Sequence, residues 1–182
     1  MLGDNGRKVA ECAAAMVFAA DLHPSRRFAR LSQMKSDAGD PIDVVTREMH
    51  ALRLFTNEGP VSNAINCALN TALAPWRSMP TVVPTLAWSF KQSMIAASTF
   101  MYACESHGLD TCPMEGFDST RLKECLNLPD RYAIPVVIAV GYSPEPSKNE
   151  EMSPRLKVDE LFFHNKFGVP WKPSSNDDDH PE

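Results

Sequence analysis

Tyr132-Ala-Ile-Pro-Val-Val-Ile-Ala-Val-Gly-Tyr142 is the stretch on which the architecture turns. It is apolar at odd and even positions alike and rich in β-branched residues, so it predicts a strand covered on both faces. Pro135 stands near its start, where a missing backbone donor is tolerated. Immediately upstream, Asn127-Leu-Pro-Asp130 reads as a turn, and Asp118 offers a cap for a helix reaching about Leu126. Further out, Trp88 to Ser106 is the longest helical candidate. Its apolar residues lie nearly all round, which predicts a buried central helix, and Gly108 follows where a left-handed cap belongs.

The amino-terminal half is read from shorter signals. Ala13 to Asp21 is a continuous apolar run that suits a covered strand, although periodicity alone leaves a short buried helix open. Leu22 to Pro41 is basic and polar and reads as a loop with one helical turn, closed by Gly39-Asp40-Pro41. Asp43 to Phe55 has helical spacing, and Ser62 can cap a helix through about Leu73. Pro75, Pro80 and Pro84 make the next stretch irregular. After a polar linker from Ser143 to Pro154, Val158 to His164 is a short apolar patch read as an extended arm, with a local edge strand as the alternative. Helices outnumber strands and do not alternate with them regularly, so the class is α+β rather than a doubly wound sheet.

At 182 residues, with 43% hydrophobic and 23% charged residues, the chain fits one folded domain, assigned to residues 1–172. The acidic stretch 173–182 has no apolar anchor and is expected to be disordered. A net charge of −5 argues against a broad nucleic-acid face. No apolar run approaches the roughly 18 residues that span a bilayer, and the first residues lack the order of a secretory signal, so no membrane partner and a cytoplasmic setting are expected. The five cysteines contain no C-x-x-C pair and read as reduced thiols. Cys104, His107 and Cys112 lack an obvious fourth ligand, so no metal is assigned. Phosphate-loop, dinucleotide, zinc-protease and serine-hydrolase motifs are all missing.

One connection invites more. In His107-Gly-Leu-Asp-Thr-Cys-Pro-Met-Glu-Gly-Phe-Asp118, Pro113 and Gly116 can bring backbone N–H groups close to a flat ligand; an ordinary helix–helix connection is the other reading. This segment resembles the central signature of the FMN-dependent nitroreductase family. Trp88-Ser-Phe-Lys-Gln92 resembles the start of that family's long helix, Leu128 to Tyr142 its next strand, and Ser153-Pro-Arg-Leu156 its late phosphate-binding segment. Asn5-Gly-Arg-Lys8 resembles its flavin-contacting asparagine segment.

The resemblance implies a nitroreductase-like α+β fold with an antiparallel or mixed sheet flanked by helices and a domain-exchanged C-terminal arm. It implies FMN as cofactor, NAD(P)H as hydride donor, a homodimer with FMN at the interface, and a small-molecule acceptor such as a nitroaromatic or quinone. Pro113, Met114, Glu115 and Gly116 would line the flavin, with an N–H at Glu115 or Gly116 directed at its N5 edge. Ser153 and Arg155 would hold the phosphate, Asn5 would hydrogen-bond the flavin, and Lys8 would sit near nicotinamide or substrate. No protein nucleophile is expected, because the flavin N5 carries the hydride. The family's leading helices and phosphate motif find no match ahead of Asn5, which suggests an alternative, a truncated non-catalytic remnant or interaction subunit binding FMN weakly or not at all.

Overall fold

The computed structural model of the chain describes residues 1–142 and 154–171. The elements run α1 (Asn5–Glu11), β1 (Ala14–Asp21), a 3-10 turn (Pro24–Arg27), α2 (Phe28–Asp37), α3 (Ile42–Thr56), α4 (Pro60–Leu73), α5 (Thr85–Ser106), β2 (Asp110–Met114), α6 (Ser119–Cys125), β3 (Tyr132–Gly141) and α7 (Val158–Leu161). The three strands form one antiparallel sheet in the order β1-β3-β2. The α+β class is what the sequence predicts, and the antiparallel sheet is one of the two arrangements, antiparallel or mixed, that the family resemblance implies. The chain divides into two compact units, Met1–Ser143 and Pro144–Glu182.

In the first unit β3 is the centre, and every residue from Ile134 to Val140 is buried. Strand alternation divides those side chains between two layers. Val136, Ile138 and Val140 pack with Ala97 and Cys104 of α5, whereas Val137 and Ala139 pack with Met114, Val9, Phe117 and Leu122. Ile134 joins the second layer despite its even number. The register slips there: Phe18 pairs with Val136 but Ala20 with Ala133, so Ile134 and Pro135 together oppose Ala19. Such a bulge accommodates a proline inside a central strand, because the irregular step needs one ladder donor fewer.

Three expectations change. Residues 28–37 form a full helix instead of a loop, because Phe28 inserts against Val45 and Met49 of α3. Residues 110–114 form a strand where a connection was expected, since they find the open edge of β3. The central helix is not buried all round: Ser89, Ala97 and Cys104 are its buried residues, while Ile95 and Tyr102 remain 63% and 78% exposed. The caps fare better. Gly108 takes φ +70° and the following Leu109 N–H returns to the Cys104 carbonyl, while Asp118 accepts the Arg121 N–H. Helix α4 starts two residues before Ser62, with Pro60 in the first turn.

A polar knot holds the end of α3. Asn57 adopts a left-handed conformation (φ 48°) and is 1% exposed. Its side-chain amide donates to Asn63 Oδ1 at 2.7 Å and to the Val83 carbonyl, its Oδ1 accepts from Asn66, and its carbonyl accepts from Thr85 Oγ1. One residue thereby ties α3 to α4 and to the entry of α5.

In the second unit, the patch expected as an extended arm begins as the single helical turn α7, because Glu160 caps the Lys157 N–H. An isolated bridge between Phe163 and Pro170 follows, with Phe163 and Phe167 rings 4.7 Å apart. The acidic tail from residue 173 lies outside the described residues.

Candidate functional site

Strand β2 ends at Met114, and the chain turns over Glu115, Gly116 and Phe117 before Asp118 caps α6. The turn is tight, because Phe117 N–H donates to the Glu115 carbonyl at 2.9 Å. The Gly116 carbonyl accepts twice from the amino-terminal segment, from Leu2 N–H at 2.9 Å and from Asn5 Nδ2 at 3.2 Å. The backbone N–H groups of Glu115 and Gly116 have no hydrogen-bond partner among the described residues. Two neighbouring donors on a half-exposed turn are suited to an electron-rich acceptor.

Gly116 is fixed by space and not by backbone angle. A Cβ built there would lie 2.6 Å from Asn5 Nδ2. Glycine thus leaves room for the Asn5 side-chain amide against the turn.

The structure brings Asn5, Lys8 and Pro113 to Gly116 together within the first unit. Asn5 spends its amide N–H on the Gly116 carbonyl. Lys8 Nζ donates to Cys112 Sγ at 3.7 Å, one residue before Pro113. Pro113 and Glu115 are exposed, whereas the Met114 side chain is 4% exposed and packs into the core against Val137 and Ala139. Arg155 belongs to the second unit and is exposed there; Ser153 lies outside the described residues. Among the described residues no group of three potential metal ligands occurs.

A second polar cluster had no signal in the sequence. Where β1 ends and β3 begins, the Tyr132 hydroxyl accepts from the guanidinium groups of Arg131 and Arg27. Asp21 Oδ2 is buried within 3.6 Å of both arginines. Hydrogen bonding from Arg131, then from Arg27, lowers the Tyr132 hydroxyl below its ordinary value. The native chain therefore releases this proton before the unfolded chain does. The associated stability is present above the ordinary tyrosine value, about 10, and is lost as pH falls through the lower native value. Tyr132 should give phenolate absorbance on alkaline titration at a pH below the ordinary tyrosine value. Arg131→Met should remove that early phase.

A family model described as the nitroreductase family matches residues 12–142. Among curated relatives, a protein named NADH dehydrogenase from Thermus thermophilus is 41% identical over 77 residues, covering 42% of this chain and 36% of that protein. The matched stretch thus spans about a third of the relative's own length. Among solved structures, a nitroreductase family protein from Streptococcus pneumoniae superposes with a TM-score of 0.63 at 18% identity, covering 90% of this chain and 70% of that one. A protein from Exiguobacterium sibiricum crystallised in complex with FMN gives 0.61 at 18% identity, covering 92% and 66%. At these identities the structural matches establish the fold.

Proposed function

Because the chain belongs to the nitroreductase family, we propose that it is an FMN-dependent oxidoreductase working with NAD(P)H and a small electron-poor acceptor. The observation that carries this reading is the pair of N–H groups at Glu115 and Gly116, unpartnered among the described residues, on a turn whose Glu115 and Gly116 carbonyls already accept hydrogen bonds. FMN, when bound, supplies the redox chemistry, taking a hydride from NAD(P)H and giving it to an acceptor such as a nitroaromatic or quinone.

The residues present fit such a group. Reduction places negative charge on the ring system, and fixed backbone donors stabilise it without reorganising during reaction. Pro113 and Glu115 are exposed beside the two amides. Met114 contributes through its backbone, because its side chain is committed to the core. Ser153 and Arg155 are assigned to the phosphate, for which a guanidinium fork is matched in shape and charge. Lys8, exposed and one residue from Pro113 through Cys112, is assigned to the nicotinamide donor or acceptor.

A homodimer also belongs to this reading. Leu86, Ile95 and Tyr102 leave an apolar outer face on α5, and Leu156, Val158, Leu161 and Phe162 are exposed around α7, as an exchanged arm requires. No helix among the described residues is long and apolar enough to cross a membrane, and a cytoplasmic setting is part of the proposal.

The test is the visible absorbance of the purified chain after addition of FMN, gel filtration and anaerobic addition of NADPH or NADH. A flavin band that travels with a dimer-sized peak and bleaches with the nicotinamide is expected. A chain that retains no flavin from excess FMN overturns the reading.

A further inference from the structure

We propose that the groove between α2 and α3 binds a small organic monocarboxylate through Arg53; the site goes beyond the FMN reading and does not depend on it. Residues 22–56 carry six Lys and Arg against four Asp and Glu, in a chain whose net charge is −5. Two of those four carboxylates are already taken, since Lys35 pairs with Asp40 at 3.3 Å and with Glu48 at 2.6 Å. The Arg53 guanidinium has neither an ion pair nor a hydrogen bond among the described residues.

The groove is made by one face of each helix. Phe28 and Ser32 stand four positions apart on α2, and Met49, His50 and Arg53 follow Thr46 by three, four and seven positions on α3. Phe28 and Met49, 6% and 7% exposed, supply its apolar wall, and they are the pair whose packing makes residues 28–37 a helix. Its volume is about 290 Å³, at the lower end of the range for small-molecule sites.

The polar lining consists of donors. Arg53 lies over the Phe28 ring, 6.0 Å from its centroid. Stacking engages the face of a guanidinium and leaves its N–H edge free, and that edge matches a carboxylate with two parallel hydrogen bonds. The His50 ring and the Ser32 hydroxyl make no hydrogen bond among the described residues, and each can donate one. Thr46 Oγ1 already donates to the Ile42 carbonyl at 2.8 Å. The fork, the ring and the hydroxyl together supply as many donors as a carboxylate has acceptor sites, about four. Charge selects the same ligand: one fixed positive group balances a monoanion, whereas a phosphate dianion would keep one charge unmatched. The wall of Phe28 and Met49 then takes a ring or short chain attached to the carboxylate.

The experiment titrates the full chain, labelled with methyl-13C methionine, with benzoate, benzamide and inorganic phosphate at constant ionic strength. Benzoate is expected to shift the Met49 methyl resonance saturably, with a Kd of about 1 mM or tighter. Benzamide has nearly the same shape without the charge and should bind at least about tenfold more weakly. Arg53→Met keeps an apolar stem over Phe28 and the backbone carbonyl that accepts from Asn57 N–H and Thr56 Oγ1. It should unfold at the wild-type urea midpoint and lose benzoate affinity about tenfold or more. Arg53→Lys retains the charge without the fork and should fall between the two. A Met49 resonance that does not respond saturably to benzoate overturns the site, as does benzamide binding as tightly as benzoate or folded Arg53→Met binding like the wild type. If Arg53→Met loses its fold, Arg53→Lys decides: wild-type affinity there removes the fork from the account. Inorganic phosphate binding as tightly as benzoate overturns the assignment to a carboxylate with an apolar body. Retention or loss of FMN by the chain alters none of these outcomes.

Discussion

Glu115→Pro is expected to slow the reduction of bound FMN by NAD(P)H about a hundredfold to a thousandfold, the usual loss when one fixed backbone donor is removed from developing negative charge. Proline deletes the Glu115 N–H and keeps its carbonyl. The φ of Glu115 is not positive, and Met114 before it is already extended in β2, as a residue preceding proline prefers to be. The Glu115 carbonyl remains available to Phe117 N–H, so the turn keeps its internal bond. The side chain is exposed, and urea unfolding should therefore change by no more than about 0.5 kcal/mol. Glu115→Ala keeps the amide and should reduce at close to the wild-type rate. If Glu115→Pro matches Glu115→Ala in stopped-flow reduction, that N–H does no work at the flavin.

The largest loss of stability is expected at Asn57. Asn57→Ala removes the donor to Asn63 Oδ1 and the acceptor for Asn66, both at 2.7 Å, at a site 1% exposed. Leaving such buried groups unsatisfied costs about 1–3 kcal/mol, and holding alanine in the left-handed region adds about 1–2 kcal/mol. The sum, about 3 kcal/mol, is a large fraction of an ordinary domain's stability. Asn57→Gly separates the two causes: it relieves the backbone strain but still orphans the partners, so its urea midpoint should fall between wild type and Asn57→Ala. Equal loss in the two variants would assign the whole effect to the hydrogen bonds.

How much of this was legible beforehand depends on the range of the interactions involved. The Tyr132–Gly141 strand, the Asp118 cap and the Gly108 terminator are written in neighbouring residues and were read from them. Helix α2 was missed because its sequence is largely basic and polar; what makes it a helix is Phe28 packing on Val45 and Met49. Strand β2 was missed because Asp110 to Met114 is short and carries a proline. Five such residues become a strand only when the edge of β3 is there to pair with them.

The candidate site divides in the same way. The segment Pro113 to Gly116 was marked by residue type and family resemblance. Its hydrogen-bond state was not, because Gly116 and Asn5 lie 111 positions apart and nothing local links them. Nor does an apolar helix announce which face meets its own sheet; the contacts of Ala97 and Cys104 with β3 assign that for α5 and leave Ile95 and Tyr102 outside.

The sequence by itself determined the α+β class, the central strand and the Asp118 and Gly108 helix ends, since each follows from side-chain periodicity and conformational preference within a few residues; the Pro113 to Gly116 segment was marked through family resemblance. Only the tertiary structure decided that β2 is a strand, that Met114 turns into the core, and that Asn5 serves the Gly116 carbonyl while the Glu115 and Gly116 amides find no partner among the described residues. Those outcomes depend on which backbone groups find partners across the fold, and a hydrogen bond between distant residues is fixed by packing, not by the order in which the residues occur.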